Sequence, residues 1–141
     1  MKNLKPILLA LAAAALIPIP AAAGGVKVIA NSSVKADSIS AEELKNVFLE
    51  ESSSLADGSH VEPVLAKGGA THEAFVGHYL GKSDSALQIY YRSLVFTGRG
   101  SMPKAVSSDA EMIAYVARTK GAIGYVSSEA GAEGAKTLQI K

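Results

Sequence analysis

The chain has 141 residues, of which 14 are basic and 13 acidic, and it contains no cysteine. Without cysteine it has no disulfide, no thiolate chemistry and no cysteine-based metal site, and its nearly balanced charge argues against a nucleic-acid-binding surface. Length and composition together indicate one modest globular domain.

The N-terminus carries the three parts of a secretory signal peptide. Two lysines make a basic start, residues 7–17 form a short apolar run, and alanines at 21–23 supply a small-residue cleavage site. The run is shorter than the roughly 20 residues that a membrane span needs. We therefore predict a signal peptide over 1–23 and a mature domain over 24–141, periplasmic or secreted and without a lipoprotein cysteine. An uncleaved anchor is the alternative.

The mature chain opens with a strand and a helix. Residues 26–30 are apolar and β-branched, which predicts a buried strand. Residues 41–49 carry apolar side chains at helical spacing, and Ser40 with Glu43 matches a capping box at the start of that helix. A polar loop then leads to a second apolar strand over 61–66.

The rest of the chain predicts three helices followed by two strands. The helices run from Thr71 to about residue 80, from Ser83 or Asp84 onward, and from Ser107 or Ser108 to a stop at Gly121. Residues 122–126 predict a strand, and the alternation over 136–140 predicts a half-exposed edge strand. This order indicates an α/β fold, a single small three-layer sandwich around a mixed sheet.

The junction after the second strand is typical of an anion-binding cradle. The amides of Gly69 and Ala70 lie where a helix begins, so they have no intrahelical partner and lie at the positive end of the helix dipole. Thr71 would cap the helix or donate its hydroxyl, and Lys67 adds a positive charge. These residues predict a site for a small anion. The alternative is an ordinary strand-to-helix connection.

Two further loops offer donors to the same anion. Residues 31–33 include the hydroxyls of Ser32 and Ser33, and residues 97–101 include Arg99, whose guanidinium matches a tetrahedral oxyanion. We expect the three loops to converge at the carboxyl ends of the strands, where open α/β sheets bind ligands. For Arg99 the alternative is a solvated loop. The predicted anion-binding residues are Ser32, Ser33, Lys67, Gly69, Ala70, Thr71 and Arg99.

The other polar residues do not indicate catalysis, a metal or a cofactor. No pair among His60, His72 and His78 has the i, i+4 spacing of a helical metal site. No nucleophile signature such as G-x-S-x-G occurs. The sequence therefore predicts a protein that is not an enzyme and that has no metal site.

Several motifs occur in a familiar order. They are Ser40–Phe48, Asp57-Gly58 followed by Val61–Val64, Thr71 with Phe75, Phe96–Gly100, and Gly121–Val126. This order resembles the phosphate-binding proteins of ABC transporters and, more closely, the short stand-alone members of the periplasmic-binding-protein superfamily. The resemblance implies a class II periplasmic-binding-protein-like lobe that captures phosphate or a similar oxyanion.

The correspondence with the family's binding residues is partial. The family's Ser-Gly-Thr at the helix start falls on Gly69-Ala70-Thr71, so only the threonine is kept, and the family's arginine falls on Leu65. The family's Phe-x-Gly after the first helix is Phe48-Leu49-Glu50, and its tryptophan before the Asp-Gly turn is Leu55. The chain also corresponds to less than half of a two-lobed receptor.

We therefore expect a periplasmic solute-binding protein for phosphate or a similar small oxyanion, associated with ABC-type uptake. Its partners would be the anion and a membrane transporter or another envelope protein, and a homodimer is one way to rebuild a closed cleft. The alternative is a ligand-independent interaction module that docks on an envelope receptor, sensor or transporter. An exposed apolar patch would favour that alternative.

Overall fold

The computed structural model describes residues 25–141, so the predicted signal peptide lies outside the described residues. Within them, no helix has both the length and the apolar character that crossing a bilayer requires. The elements, in chain order, are β1 (Val26–Ala30), β2 (Ser38–Ile39), α1 (Ala41–Phe48), β3 (Glu62–Ala66), α2 (Ala70–Phe75), a π-helical segment (Val76–Leu80), α3 (Asp84–Phe96), β4 (Lys104–Val106), α4 (Asp109–Arg118), β5 (Ala122–Ser127) and β6 (Lys136–Ile140).

The strands form one mixed sheet in the order β2-β6-β1-β5-β3-β4. β3 runs parallel to β4 and β5, whereas β1 is antiparallel to both of its neighbours, β5 and β6. The carboxyl ends of β3, β4 and β5 therefore meet at one edge, which we call the carboxyl edge. β1 ends at the opposite edge, the amino edge, where Ala30 lies beside Ile123 and Ile123 beside Pro63.

Side-chain alternation along the strands builds a core on each face of the sheet. In β5, Ile123 and Tyr125 belong to the larger core, which includes buried side chains of α1, α2 and α3. Ala122 and Val126 belong to a smaller core under α4. Successive strand side chains point to opposite faces, so the α/β three-layer sandwich predicted from the sequence is confirmed, and among residues 25–141 α4 is the one helix on its side of the sheet.

Two local predictions were wrong. β6 is not an edge strand, because β2 pairs with it in parallel, placing Ser38 beside Gln139. The predicted capping box is only half formed. The Glu43 N–H donates to Ser40 Oγ at 3.0 Å, but the Glu43 carboxylate accepts from the Ala56 N–H instead of returning to the cap. That carboxylate thus fastens the loop after α1 rather than the first turn of the helix.

Candidate functional site

The predicted cradle is open to solvent at the carboxyl edge. Lys67 follows β3, Gly69 is the N-cap residue of α2 with a φ of 100°, and no side chain caps this helix. A Cβ added at Gly68 or at Gly69 would meet no atom within 4 Å. Glycine is needed at position 69 for its positive φ, and the free space leaves the first amides of α2 accessible to a ligand.

Thr71 is not the N-cap residue of α2. α2 begins at Ala70, so Thr71 is the second helical residue and the prediction that it caps the helix is wrong. Its side chain is half-buried beside the cradle. Donation by its hydroxyl to an anion at the first turn stays a prediction.

The loop after β1 lies at the other edge of the sheet. The Ser33 hydroxyl accepts from the Gly121 N–H at 3.0 Å, and the side chain of Asn31 donates to the Val116 carbonyl at 2.8 Å. These bonds fasten the loop to the end of α4, and Ser32 is exposed in the same turn. At about 3.3 Å per residue, the length of β3 separates this loop from the cradle by about 13 Å.

Arg99 also lies away from the cradle. Its N–H donates to the Leu94 carbonyl at 2.8 Å as α3 ends, and the residues after it lead into the start of β4, at the amino edge. The expectation that three loops converge on one anion is therefore wrong. β1 runs antiparallel to its neighbours, and Arg99 precedes its strand instead of following it. Of the three predicted loops, only the segment 67–71 lies at the carboxyl edge.

A buried side-chain network ties the two ends of the cradle together. The Tyr125 hydroxyl accepts from the N–H of Ala66, immediately before the cradle, at 2.9 Å. The same hydroxyl lies 2.5 Å from Nδ1 of His72, immediately after the cradle. His72 is 1% exposed, and its Nε2 lies 2.7 Å from Oδ1 of Asp84 at the start of α3. One phenol oxygen thus contacts both ends of the predicted anion site.

The hydrogen bonds of this network have one consistent direction. The Tyr125 hydroxyl accepts from the Ala66 N–H and can donate to His72 Nδ1, and a ring protonated on Nε2 then donates to the Asp84 carboxylate. Burial raises the pKa of the Tyr125 phenol, which keeps that proton in place. Every buried polar atom of the network is paired, as a low-dielectric interior requires.

The sequence interpretation overlooked this network. Gly121–Val126 is one of the motifs of the sequence, and strand alternation places Tyr125 on the same face as Ile123. No local pattern could pair it with His72, which lies 53 positions away in the chain.

A cavity of about 350 Å³ opens at the amino edge, far from the cradle. Its walls include Glu50, His60, Glu62, Lys104 and Tyr115. His60 Nε2 lies 3.6 Å from a Glu62 carboxylate oxygen. Within the described part of the chain, no group of three metal-ligating side chains comes together here or elsewhere.

Glu50 has an unusual backbone beside this cavity. It follows the C-cap of α1 with a φ of 61°, the left-handed conformation that glycine normally supplies at that position. The next N–H, that of Glu51, donates to the Asn46 carbonyl at 2.8 Å, which completes a Schellman ending. Burial and the carboxylate of Glu62 raise the pKa of the Glu50 carboxyl.

We expect Glu50→Gly to stabilise the fold at pH 7 by about 1 kcal/mol from backbone strain alone. Glu50→Ala is the control, because it removes the charge and keeps the strained backbone. A carboxyl whose folded pKa is raised loses stability as pH rises above its ordinary value of 4.5. The gain of the alanine variant over wild type should therefore vanish below that pH, while the glycine variant keeps its advantage over alanine. Urea unfolding at pH 7 and below pH 4.5 measures these differences. Equal stabilities of the glycine and alanine variants would show that the backbone at position 50 is not strained.

Several solved structures have a fold similar to that of this chain. The fold is similar to that of an ABC-type phosphate transport receptor from Vibrio cholerae, with a TM-score of 0.64, 14% identity, and coverage of 82% of this chain and 46% of the receptor. A putative phosphate ABC transporter substrate-binding protein from Clostridium perfringens, with bound phosphate, has a TM-score of 0.61 and 15% identity over 82% of this chain and 44% of that one. No protein-family model matches the sequence, and no curated protein matches it.

A third structure agrees with these two. A possible phosphate binding protein from Planctomyces limnophilus has a TM-score of 0.57 and 17% identity over 83% of this chain and 41% of that one. The chain thus spans less than half the length of each of the three proteins. At these identities the likeness concerns the fold, and the chain is an α/β domain that resembles one lobe of a class II periplasmic binding protein.

Proposed function

We propose that this chain is a periplasmic binding protein for phosphate or a similar small oxyanion, which it holds at the carboxyl edge. The observation that carries the proposal is the open, uncapped start of α2 after β3, on a domain that resembles one lobe of phosphate-binding receptors. The amides of Gly69 and Ala70 and the hydroxyl of Thr71 would donate to the oxyanion, and Lys67 would supply the positive charge.

Because the cradle is exposed, we expect its affinity for an anion to be modest. Lys67 and Gly69 are exposed, so a bound anion keeps water on its outer side. Charge interactions are weaker in such a site than in one closed by two lobes, where the local dielectric is lower. Ser32, Ser33 and Arg99 have no part in this site, because they lie at the amino edge.

Calorimetric titration of the chain from Gly24 onward with phosphate, and then with sulfate, tests this proposal. We expect a Kd for phosphate below about 1 mM at low ionic strength. Thr71→Ala and Lys67→Gln should each weaken binding about tenfold, the value of one charge-assisted hydrogen bond. Ser33→Ala and Arg99→Gln are matched controls at the other edge and should bind as wild type does. The absence of heat with both anions, or a loss confined to the two controls, would refute the site.

The second candidate function is an interaction module that docks on another envelope component, such as a receptor, sensor, transporter or second copy of the chain. One observation favours it: Phe96 is 93% exposed and Ile89 is 65% exposed on the outward face of α3. Such a face is compatible with a chain that also binds an anion, so the titration decides only the first candidate.

A further inference from the structure

A group that can gain a proton near neutral pH lies in the core beneath the cradle. Among residues 25–141, the buried polar or charged residues apart from the tyrosines are Asn31 and His72, and of these two only His72 titrates. Its ring lies between the Tyr125 hydroxyl, 2.5 Å from Nδ1, and the Asp84 carboxylate, 2.7 Å from Nε2. A change of charge on this ring therefore alters both contacts at once.

With a neutral ring, each hydrogen of the network has an acceptor. The Ala66 N–H donates to the Tyr125 oxygen, the Tyr125 hydroxyl can donate to Nδ1 of His72, and the Nε2–H can donate to Asp84. Three hydrogens thus share three acceptors. The Tyr125 hydroxyl has no further hydrogen-bond partner in the described part of the chain.

One added proton removes this balance. It is taken from water at Nδ1 of His72, and this nitrogen then changes from an acceptor to a donor. Burial raises the pKa of the Tyr125 phenol, so the phenol keeps its own hydrogen. The N–H of Ala66 and the Nδ1–H of His72 then compete for one phenol oxygen, while the phenolic hydrogen has lost its acceptor. A buried donor without an acceptor is destabilising, so one of these bonds must break.

The bond that breaks is the one from Ala66. A hydrogen bond donated by an imidazolium is charge-assisted and stronger than one donated by a neutral amide. The contact between Tyr125 and His72 is buried, whereas that between Tyr125 and the Ala66 N–H is only partly buried. Water can therefore bond to the released N–H and accept the phenolic hydrogen. At Nε2 the new charge strengthens the contact with Asp84, which becomes an ion pair.

Other charges near the ring leave this response in place. Asp84 comes from α3 and is the residue with which the ring forms an ion pair among residues 25–141. Lys67 and Glu73, the charged neighbours on the end of β3 and on α2, are exposed, and Lys82 before α3 is half-exposed. Lys27 of β1 lies on the α4 side of the sheet. Solvent screens the exposed charges, so Asp84 dominates.

We propose that the Tyr125–His72–Asp84 network is a pH-sensitive switch, in which protonation of His72 detaches Ala66 from Tyr125 and loosens the β3 end of the cradle. The α3 end stays fastened, because the ion pair with Asp84 becomes stronger. The switch concerns the backbone of the cradle and does not require that an anion binds there.

Amide hydrogen exchange measured by NMR tests this proposal, with the chain from Gly24 onward, which contains the whole described fold. It is measured at about pH 7.5 and about pH 5, on either side of the range in which imidazoles titrate. Rates are expressed as protection factors, because intrinsic exchange itself depends on pH. We expect the protection of the Ala66 amide to fall at least about tenfold on acidification, the effect of losing one hydrogen bond. β1 and α3 should keep theirs within about threefold.

Four variants identify the cause of that fall. His72→Gln cannot titrate, so its Ala66 amide should be equally protected at both pH values. Tyr125→Phe lacks the shared oxygen, so Ala66 should exchange fast at both. His60→Gln and His78→Gln are matched controls, because these histidines are exposed and lie outside the network, and both should respond as wild type does. Circular dichroism melting confirms that each variant is folded.

Equal protection of Ala66 at the two pH values in the wild-type chain would overturn the proposal. A fall that β1 shares would overturn it as well, because the whole domain would then be loosened. So would a fall that persists in His72→Gln, since carboxyl groups would then be its cause. If a network variant does not fold, the wild-type comparison of Ala66 with β1 still decides, with imidazole nitrogen chemical shifts showing that His72 has taken up its proton.

Discussion

Replacing Tyr125 with phenylalanine is expected to lower the free energy of unfolding by about 2–4 kcal/mol, because it leaves one buried and one partly buried polar group without a partner. The ring would keep its stacking on Phe75, at a centroid distance of 3.9 Å. Only the hydroxyl is lost, and with it the bonds to the Ala66 N–H and to His72 Nδ1. Urea denaturation measures the loss.

The same variant tests whether the network holds the cradle. Amide hydrogen exchange over residues 66–72 should accelerate more than exchange over β1, since both ends of this segment lose an anchor. Tyr79→Phe is the matched control: its ring packs on Phe75 at 5.4 Å, and its hydroxyl makes no hydrogen bond among the described residues. We expect that control to change stability by less than about 0.5 kcal/mol. Equal effects of the two variants would show that the Tyr125 hydroxyl anchors nothing.

Gly121→Ala is expected to lower the free energy of unfolding by about 2–4 kcal/mol, through a strained backbone and a steric clash together. Gly121 has a φ of 78°, and a Cβ there would lie 2.9 Å from the His60 carbonyl oxygen. This oxygen belongs to the backbone, so it cannot rotate away as a side chain would. The Gly121 N–H also donates to Ser33 Oγ, which limits movement of the turn.

Gly98→Ala separates the two causes. Gly98 has a similar φ of 70°, but a Cβ added there would meet no atom within 4 Å. This control should therefore cost about 1 kcal/mol, the contribution of backbone strain alone. If both variants lose the same free energy of unfolding in urea, the contact with the His60 carbonyl oxygen contributes nothing to the loss.

The secondary structure was largely predictable because its signals are local. Apolar periodicity located β1, β3, β5 and β6 and the buried faces of the helices. The pattern failed where an element is very short or changes its geometry. β2 and β4 have two and three residues, too few for a period to be visible. The helix predicted from Thr71 to residue 80 continues from α2 as a π-helical segment at Val76–Leu80.

The sequence by itself determined the α/β class and the contiguous part of the candidate site. β3, the glycine turn and the start of α2 are adjacent in the chain, so the cradle of residues 67–71 follows from local backbone preferences alone. The predicted end of α4 at Gly121 was wrong, because the helix ends at Arg118 with an extended C-cap at Thr119, and Gly121, with a φ of 78°, lies in the turn before β5.

Only the tertiary structure decided which loops share an edge and what lies beneath the cradle. Periodicity shows which face of a strand is apolar, but it contains no information on the direction in which the strand enters the sheet. Because β1 is antiparallel to β5, Ser32 and Ser33 lie at the amino edge. Tyr125, His72 and Asp84 come from β5, α2 and α3, and they meet only because the sheet order places β5 beside β3.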